Sequence, residues 1–289
     1  MGLFDKNPAP PSQPLAPPPS YNAGGSSSSV NSGAYGSDKK EPFPPPPAAE
    51  SPYQTGQAGP SYQAAYGAVL LSSSDKIRLL NFPEHVIGVV GDTITRAWPP
   101  GIQTRGRLEY GGFEFKLKGR PWYGQGSEAV PARRLMIHFL HCMATQGWHL
   151  AASTDLSKKS WDKDTLFFRA GPPVQRMFFS VSFNEYDKIR IIDPPNDAIK
   201  NALISAVHTW PMGIQDQKEK EYGCYQLKLR GSPWATSNGA QVSQSRLLAL
   251  NLMSTMDNLG YELAACVDMS IGAGDESNDI DSWFFASKL

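Results

Sequence analysis

The chain has 289 residues with 27 basic and 27 acidic side chains, and its 40% hydrophobic content is enough for one or two folded domains. Its formal net charge of zero offers no global attraction to nucleic acid, and no run approaches the roughly 18 apolar residues of a membrane span. Three widely separated cysteines indicate free thiols, and with no secretory signal in the sequence the protein is expected in the cytosol.

The first region, residues 1–66, is predicted to be a disordered tail rich in Pro, Ser and Gly. Its first 60 residues contain 14 of the 25 prolines but none of the 7 tryptophans. Such a composition buries too little apolar surface to offset the entropy that folding removes from the chain. We therefore expect the folded part to begin near residue 67.

The stretch PPSY in this tail matches the PPxY pattern that WW domains recognise. Pro18 and Pro19 favour the extended left-handed helix that docks on an aromatic groove, and Tyr21 fills a second pocket. The motif therefore predicts a WW-domain partner, such as a ubiquitin ligase or its adaptor.

A second tail motif, FPPPP, matches the aromatic-plus-proline ligands of EVH1-type domains. Its contacting residues are predicted to be Phe43, Pro44, Pro46 and Pro47, with Glu41 just upstream. Any proline-rich linker also produces such matches by chance, so both tail motifs keep a simple alternative as spacer sequence.

The rest of the chain is internally duplicated at an offset of 112 residues. AWPPGIQ matches TWPMGIQ, and KLKGRPW matches KLRGSPW. After the second predicted helix the offset becomes 113, where GWHLAASTDLS matches GYELAACVDMS, and it becomes 117 where DTLFF matches DSWFF. These matches predict two repeats, residues 67–172 and 173–289.

Both repeats show the same predicted order of elements. Residues 178–183 and 189–193 have the β-branched and aromatic content of two paired strands, and a helix capped by Asn196 follows them. Residues 113–118 alternate between apolar and charged side chains, which is typical of a strand. Residues 133–146 form an amphipathic helix, and two further strands complete the unit.

The predicted fold class is α+β. It consists of two tandem ββαβαββ repeats, each an antiparallel sheet with two helices on one face, preceded by the disordered tail. Each repeat, at about 105 residues, is large enough to build its own core. A pseudo-twofold axis is expected to relate the two repeats.

Several motifs in this region resemble those of a known family. WPxGIQ, EFKLKGxPW, GQGSEAVPARRLM, GWxLxASTDLSKK and DKDTLFFR are similar to an uncharacterised fungal family of tandem-repeat proteins. Some of its members carry a label relating them to a subunit of the transcriptional Mediator complex. The resemblance covers about residues 75–286, is fuller in the first repeat, and assigns no functional residue.

A metal site is the first chemical candidate. His138, His141 and Cys142 lie three and four residues apart, which places potential zinc ligands on one helix face. The matching positions of the second repeat, at the 112-residue offset, are Leu250, Met253 and Ser254. An apolar match for His138 favours a packing role, so no metal and no cofactor is predicted.

Two loops resemble ligand-binding loops without completing the pattern. Residues 123–128 are Gly-rich and precede a helix, but they lack the Lys-Ser/Thr of a P-loop, so Ser127 is expected to act as a helix cap. Another loop places oxygen-bearing side chains at alternate positions as a calcium loop does, but the required glycine and final glutamate are missing; these residues are Asp275, Ser277, Asp279 and Asp281. Asp281 is therefore expected in a solvated hairpin loop.

A pair of basic strand faces is kept in both repeats. The candidate binding face consists of Lys116, Lys118, Trp122, Lys228, Arg230 and Trp234. By strand alternation its cations point away from the core. They either make a solvated sheet face or, edged by the two tryptophans, bind an acidic partner or anionic ligand.

The sequence ends in Ser287, Lys288 and Leu289, the tripeptide that the peroxisomal import receptor recognises at a free C-terminus. Residues 282–286 are also predicted to be the last strand of the fold, which would hold the tripeptide close to a sheet. Import and strand pairing therefore make competing demands on the same residues.

The function predicted from these features is that of a non-enzymatic adaptor. The tail docks WW or EVH1-type domains, and the double repeat binds a second partner. No nucleophile motif is present, which argues against a hydrolase. The alternative is a peroxisomal matrix protein, either a small-ligand binder or a metabolic enzyme.

Overall fold

A computed structural model describes residues 65–124, 126–157, 163–269 and 280–289. Residues 1–64 of the predicted tail, with the PPSY and FPPPP motifs, lie outside these residues, as does most of the calcium-like loop. The first strand begins at Tyr66, one residue before the predicted end of the tail. Within the described ranges, no helix combines the length and the apolar character needed to cross a membrane.

The first repeat forms one six-stranded antiparallel sheet and two α-helices. Its elements are β1 (Tyr66–Ser72), β2 (Lys76–Leu80), α1 (Glu84–Ala97), β3 (Ile102–Arg107), β4 (Phe113–Leu117), α2 (Ala129–Thr145), β5 (Trp148–Thr154) and β6 (Thr165–Ala170). The strand order is β3-β4-β2-β1-β6-β5, and we call this sheet the first sheet.

The second repeat has the same topology. Its elements are β7 (Phe178–Asn184), β8 (Lys188–Ile192), α3 (Asp197–Val207), β9 (Ile214–Glu221), β10 (Cys224–Leu229), α4 (Gly239–Asn258), β11 (Tyr261–Val267) and β12 (Ser282–Ser287). The order in this second sheet is β9-β10-β8-β7-β12-β11, position for position that of the first sheet. The predicted double α+β repeat is confirmed.

Each repeat contains one strand more than the sequence predicts. The additional strands, β3 and β9, lie at one edge of their sheets and, in the part of the chain that the structure describes, pair only with β4 and β10. Both are exposed along nearly their whole length, so they carry polar residues on both faces and lack the apolar alternation that reveals a strand. The observed order is therefore ββαββαββ.

The helices pack on the inner face of their own sheet through regular apolar stripes. In α2 the sheet-facing residues include Leu135, Phe139 and Met143, and in α4 they are Leu248, Leu252 and Met256. The two sets lie 113 residues apart, so the one-residue insertion of the second repeat lies before α4 and not after it, as the sequence comparison had suggested. The start of α3 is fixed by a local interaction. The Asn196 side chain accepts a hydrogen bond of 3.0 Å from the backbone N–H of Ile199, as predicted.

The repeats contact each other through α2, which lies between the two sheets. One side of α2 packs on the first sheet, and the other side packs on β7 and β8 of the second sheet. Within the described residues α4 makes no comparable contact with β1 or β2. The helix of one repeat thus covers the sheet of the other in one direction only, so the expected pseudo-twofold relation is wrong.

Candidate functional site

The contact beneath α2 is held by two arginines. Arg133 is buried, and its guanidinium donates to Ser282 Oγ at 3.1 Å and to the carbonyl oxygen of Gly124 at 2.8 Å. Arg134 donates to both carboxylate oxygens of Asp193, at 3.1 and 3.0 Å, and to Glu221 Oε1 at 3.1 Å. These charge-assisted bonds fix how the second sheet sits against the first repeat.

Next to this contact, the edge strands β5 and β11 approach each other and form a cleft. Its volume is about 610 Å³, and both repeats contribute to its lining. The lining residues are Leu150, Ala151, Ala152, Ser153, Thr154, Asp155, Asp164, Leu263, Ala264, Ala265, Cys266, Asp268 and Asp281. We call it the inter-repeat cleft.

Four aspartates of the cleft form two equivalent pairs. Asp155 in the first repeat corresponds to Asp268 in the second, and Asp164 corresponds to Asp281. Asp164 Oδ2 accepts a hydrogen bond of 2.8 Å from Ser153 Oγ and one of 3.0 Å from the backbone N–H of Asp268. The duplication has therefore brought both copies of the same two carboxylates into one site.

The charge balance of the cleft favours cationic groups. Lys163 is buried there, and its ammonium forms an ion pair of 2.9 Å with Asp268. Burial raises the pKa of the Asp281 carboxyl, and the neighbouring charges of Asp164 and Asp268 raise it further, whereas Lys163 lowers it. The expectation that Asp281 belongs to a solvated loop is wrong, because its side chain is half-buried among other acids.

The walls of the cleft are two sheet edges. Within the described residues β5 pairs only with β6, and β11 only with β12, so one backbone side of each strand has no strand partner. Both strands carry a register irregularity at the same place, around Ala151 and Ala264. Because these residues are small, backbone from another chain can approach both edges closely.

The thiols of the protein are held in their unreactive form. Burial raises the pKa of Cys266, in the cleft, to about 11, and Asp281 and Asp164 contribute to that increase. Burial also raises the pKa of Cys224 to about 11 and raises that of Cys142. A thiol that stays protonated at neutral pH is a poor nucleophile.

The residues predicted as a metal candidate do not converge. His141 Nδ1 is 2.8 Å from the carbonyl oxygen of Arg176, and Cys142 is buried beside Thr93. His138 faces Asp193 across the repeat contact, and burial lowers its pKa. Among the described residues, no three His, Cys, Asp or Glu side chains are placed to share an ion. At the observed 113-residue offset the matching residues are Asn251, Ser254 and Thr255.

The kept basic face is divided by the structure. Lys116 and Lys228 lie 4.0 and 3.9 Å from equivalent turn aspartates, Asp75 and Asp187. Lys118 and Arg230 are exposed. The expected aromatic edge is wrong in the first repeat, because Trp122 is fully buried and its indole N–H donates to the carbonyl oxygen of Lys76 at 2.8 Å. Trp234, by contrast, is only half-buried.

The Gly-rich loop before α2 is organised by a glutamate. Ser127 lies inside a short 3₁₀ turn, Gly126–Glu128, and does not cap the helix as expected. The Glu128 carboxylate instead accepts a hydrogen bond of 2.9 Å from the backbone N–H of Arg120. The loop is therefore fastened to the end of the preceding strand segment.

The last three residues are partly held by the sheet. Ser287 pairs with Tyr261 as the end of β12, and its hydroxyl accepts a hydrogen bond from the backbone N–H of Met177. Lys288 donates from its backbone to the carbonyl oxygen of Gly260 at 2.8 Å, and its ammonium is 2.7 Å from Asp257. Lys288 and Leu289 are exposed, but the bonds that hold Ser287 and Lys288 must break before the tripeptide can be recognised.

The inter-repeat cleft was not predicted, although the sequence contains a signal for it. All four aspartates lie within the matched stretches of the duplication, and in both copies two alanines precede the first of them. The retention of these residues in both repeats could have marked them as candidates for a functional site. Their convergence depends on how the repeats pack, and that contact has no local signature in the sequence.

Comparison with known proteins adds a family assignment. The model of an uncharacterised domain family matches the chain twice, at residues 65–169 and 177–286. No curated protein and no solved structure matches the chain.

Proposed function

Because the chain belongs to this uncharacterised domain family and carries its domain twice, we propose that the protein is a non-enzymatic adaptor. Its double repeat binds one partner, and its proline-rich tail docks another. The observation that carries the proposal is the inter-repeat cleft, which exists only because two copies of the domain are joined. A single copy would supply one edge strand and one pair of aspartates.

The first partner is proposed to be an extended basic segment of another protein. The unpaired sides of β5 and β11 offer backbone donors and acceptors, which an extended chain can use as an additional strand. Asp155 and Asp281 at the cleft attract Lys or Arg side chains of that segment. Backbone pairing supplies affinity, and the acidic lining selects for basic sequence.

A binding role also agrees with the chemistry of the cleft. Cys266 is a thiol that lines the cleft, and its raised pKa keeps that thiol protonated at neutral pH. The carboxylates Asp164 and Asp268 are already occupied by hydrogen bonds and an ion pair. Groups engaged in this way hold a shape and a charge and are poorly suited to transferring protons.

The second partner is proposed to be a WW-domain protein of the cytosol, such as a ubiquitin ligase or its adaptor. Pro18, Pro19 and Tyr21 form the docking motif, and FPPPP offers a separate motif for an EVH1-type domain. The tail precedes β1 directly in sequence, so a tail-bound domain is tethered to the partner in the cleft. Tethering raises the effective concentration of one partner near the other.

The proposal is tested by measuring two binding events on the full-length chain. One calorimetric titration uses an isolated WW domain, and the other uses a synthetic peptide that alternates Lys with Val. Tyr21→Ala should abolish WW binding and leave peptide binding unchanged. Tyr35→Ala, a matched substitution in the same tail but outside the motif, should change neither.

The cleft is tested by paired substitutions of its acids. Asp155→Asn together with Asp281→Asn should weaken peptide binding by about tenfold or more and reduce its dependence on salt, because two attractive charges are lost. Asp216→Asn together with Glu219→Gln, on the exposed strand β9, serves as the charge-matched control. The adaptor proposal fails if the peptide binds the cleft variant and the natural chain equally, or if both partners cannot be bound together.

A further inference from the structure

We propose that the protein assembles head to tail with further copies of itself. In this assembly α4 of one copy packs on the outer face of the first sheet of the next copy. The contact reproduces the one that α2 makes with the second sheet inside a single chain. Three comparisons between equivalent positions of the two repeats support this assignment.

The internal contact provides the template. Ile137 and Leu140 lie on the same side of α2 as Arg133, which bonds to the second sheet, and they are only 6% and 3% exposed. They share one core cluster with Phe284 of that sheet. The outer face of the second sheet is therefore closed by an apolar helix stripe with an arginine beside it.

The corresponding stripe of α4 has no cover within the described residues. Leu250 and Met253 correspond to Ile137 and Leu140, but they are 57% and 38% exposed. Leu247, one turn earlier on the same side, is 62% exposed. Three large apolar side chains at helical spacing form a patch of the kind that marks an interaction surface.

The outer face of the first sheet offers the matching surface. Ala68, Leu70 and Phe167 occupy the positions of Ser180, Ser182 and Phe284, and all three are partly exposed where their counterparts are buried. Where Ala68 and Leu70 replace the two serines, the exposed face is therefore more apolar than the covered one. In the internal contact the buried Ser180 hydroxyl has no hydrogen-bond partner in the described part of the chain, which is unfavourable. A contact on the first sheet would bury Ala68 at this position and so leave no hydroxyl unpaired there.

The polar positions change in a matched way on both surfaces. The ion pair between Arg134 and Asp193 has neutral equivalents, Leu247 on α4 and Asn81 beside the first sheet. The second acidic partner of Arg134, Glu221, has a charged equivalent in the exposed Glu109. The bond between Arg133 and Ser282 keeps its chemistry on both sides, because the equivalents are Arg246 and the hydroxyl of Thr165. This complementarity points to a second copy of the chain as the occupant.

The two surfaces differ from each other, so the contact is heterologous. Each copy presents one α4 stripe and one open sheet face, and each added copy exposes the same pair again. The expected assembly is a series of oligomers that grows with concentration rather than a closed dimer. The α4 contact at every junction would then have the same geometry as the α2 contact within every chain.

The experiment is sedimentation velocity of the full-length chain over a wide concentration range. The natural chain should increase in mean mass beyond that of a dimer as concentration rises. Leu250→Glu on α4 and Leu70→Glu on the sheet should each weaken association by about tenfold or more and leave monomers. Leu80→Glu, on the same sheet face, serves as a second variant if Leu70→Glu unfolds. Gln217→Glu on β9, which adds the same charge elsewhere, should associate normally.

Mixing the two kinds of variant gives the decisive result. A chain with Leu250→Glu keeps its sheet face, and a chain with Leu70→Glu keeps its α4 stripe, so an equimolar mixture should form dimers and stop there. A natural chain that stays monomeric at all concentrations would overturn the proposal. So would a mixture that stays monomeric, or variants that still associate alone.

Discussion

The helices α2 and α4 occupy equivalent places in the two repeats but meet different surroundings. Twelve of the 17 residues of α2 are buried, compared with 4 of the 20 in α4. Both helices present the same spaced residues to their own sheet. The difference lies on the opposite side, where α2 packs on the second sheet and α4 makes no comparable contact with a sheet within the described residues.

This comparison separates what one domain needs from what the pair of domains adds. The sheet-facing stripe makes the repeat fold, so it is present in both copies. The opposite stripe makes the repeats stack, so its residues depend on the surface that it contacts. Arg134 in α2 pairs with Asp193 of the second sheet, whereas the equivalent residue in α4 is the apolar Leu247. Substitutions at matched positions should therefore have unequal effects.

The largest inequality is expected for apolar residues of the outer stripe. Leu140→Ala should lower the free energy of unfolding by about 2–5 kcal/mol, because it leaves a cavity between α2 and the second sheet. Met253→Ala at the equivalent exposed position should change it by no more than about 0.5 kcal/mol. Urea unfolding of dilute samples measures both, and equal losses would mean that α2 is not enclosed as described.

A smaller inequality is expected for the equivalent arginines. Arg133→Ala leaves the Ser282 hydroxyl and the Gly124 carbonyl without this donor in a buried setting, so a loss of about 1–3 kcal/mol is expected. Arg246→Ala, on the exposed side of α4, should stay within about 0.5 kcal/mol. Thermal and urea unfolding should agree on the ranking, which a comparable loss in the second variant would contradict.

The ion pair between the repeats should contribute less again. Arg134, Asp193 and Glu221 are partly exposed, so solvent screens their attraction, and Arg134→Ala is expected to cost about 1 kcal/mol or less. The cost should shrink as salt is added. Leu247→Ala is the matched variant in α4, and its effect should not depend on salt; a salt-independent loss in Arg134→Ala would show that the ion pair is not formed.

The equivalent cleft aspartates should respond in opposite directions. The pKa of Asp281 is raised in the folded chain, so the folded state favours the protonated carboxyl. The free energy of unfolding is therefore highest below the ordinary pKa of 3.8 and decreases as pH rises through the folded pKa. Asp281→Asn should therefore stabilise the protein slightly at neutral pH and make no difference below pH 3.8. Asp164→Asn should destabilise it, because Asp164 accepts two hydrogen bonds. Unfolding measured across pH separates the two, and a neutral-pH loss in Asp281→Asn would contradict this account.

Sequence patterns were sufficient for the parts of the fold that depend on local spacing. The alternation in β4, the Asn196 cap and the 112-residue duplication each reflect contacts made within one repeat. These signals predicted two α+β units with nearly correct helices. They failed for β3 and β9, whose side chains are exposed on both faces and therefore carry no periodic apolar signal.

The features that depend on contacts between distant parts of the chain were harder to predict. Trp122 was expected at a binding edge, yet it is buried, because its indole fits a backbone acceptor that the sequence does not reveal. Asp281 was assigned to solvent, although folding places it beside Asp164 and Asp268 from other strands. The position of Trp122 depends on a contact between distant segments of one repeat, and that of Asp281 depends on how the two repeats meet. No periodicity within a single element encodes either contact.

The most direct test of the stacked arrangement is hydrogen exchange of the full-length chain, followed at low concentration through peptides that cover residues 129–145 and 239–258. Amides of α2 should exchange only through the slowest, global opening, because both sides of the helix are covered. Amides on the outer side of α4 should exchange measurably faster. Equal protection of the two helices in dilute solution would contradict the claim that α2 alone lies between two sheets.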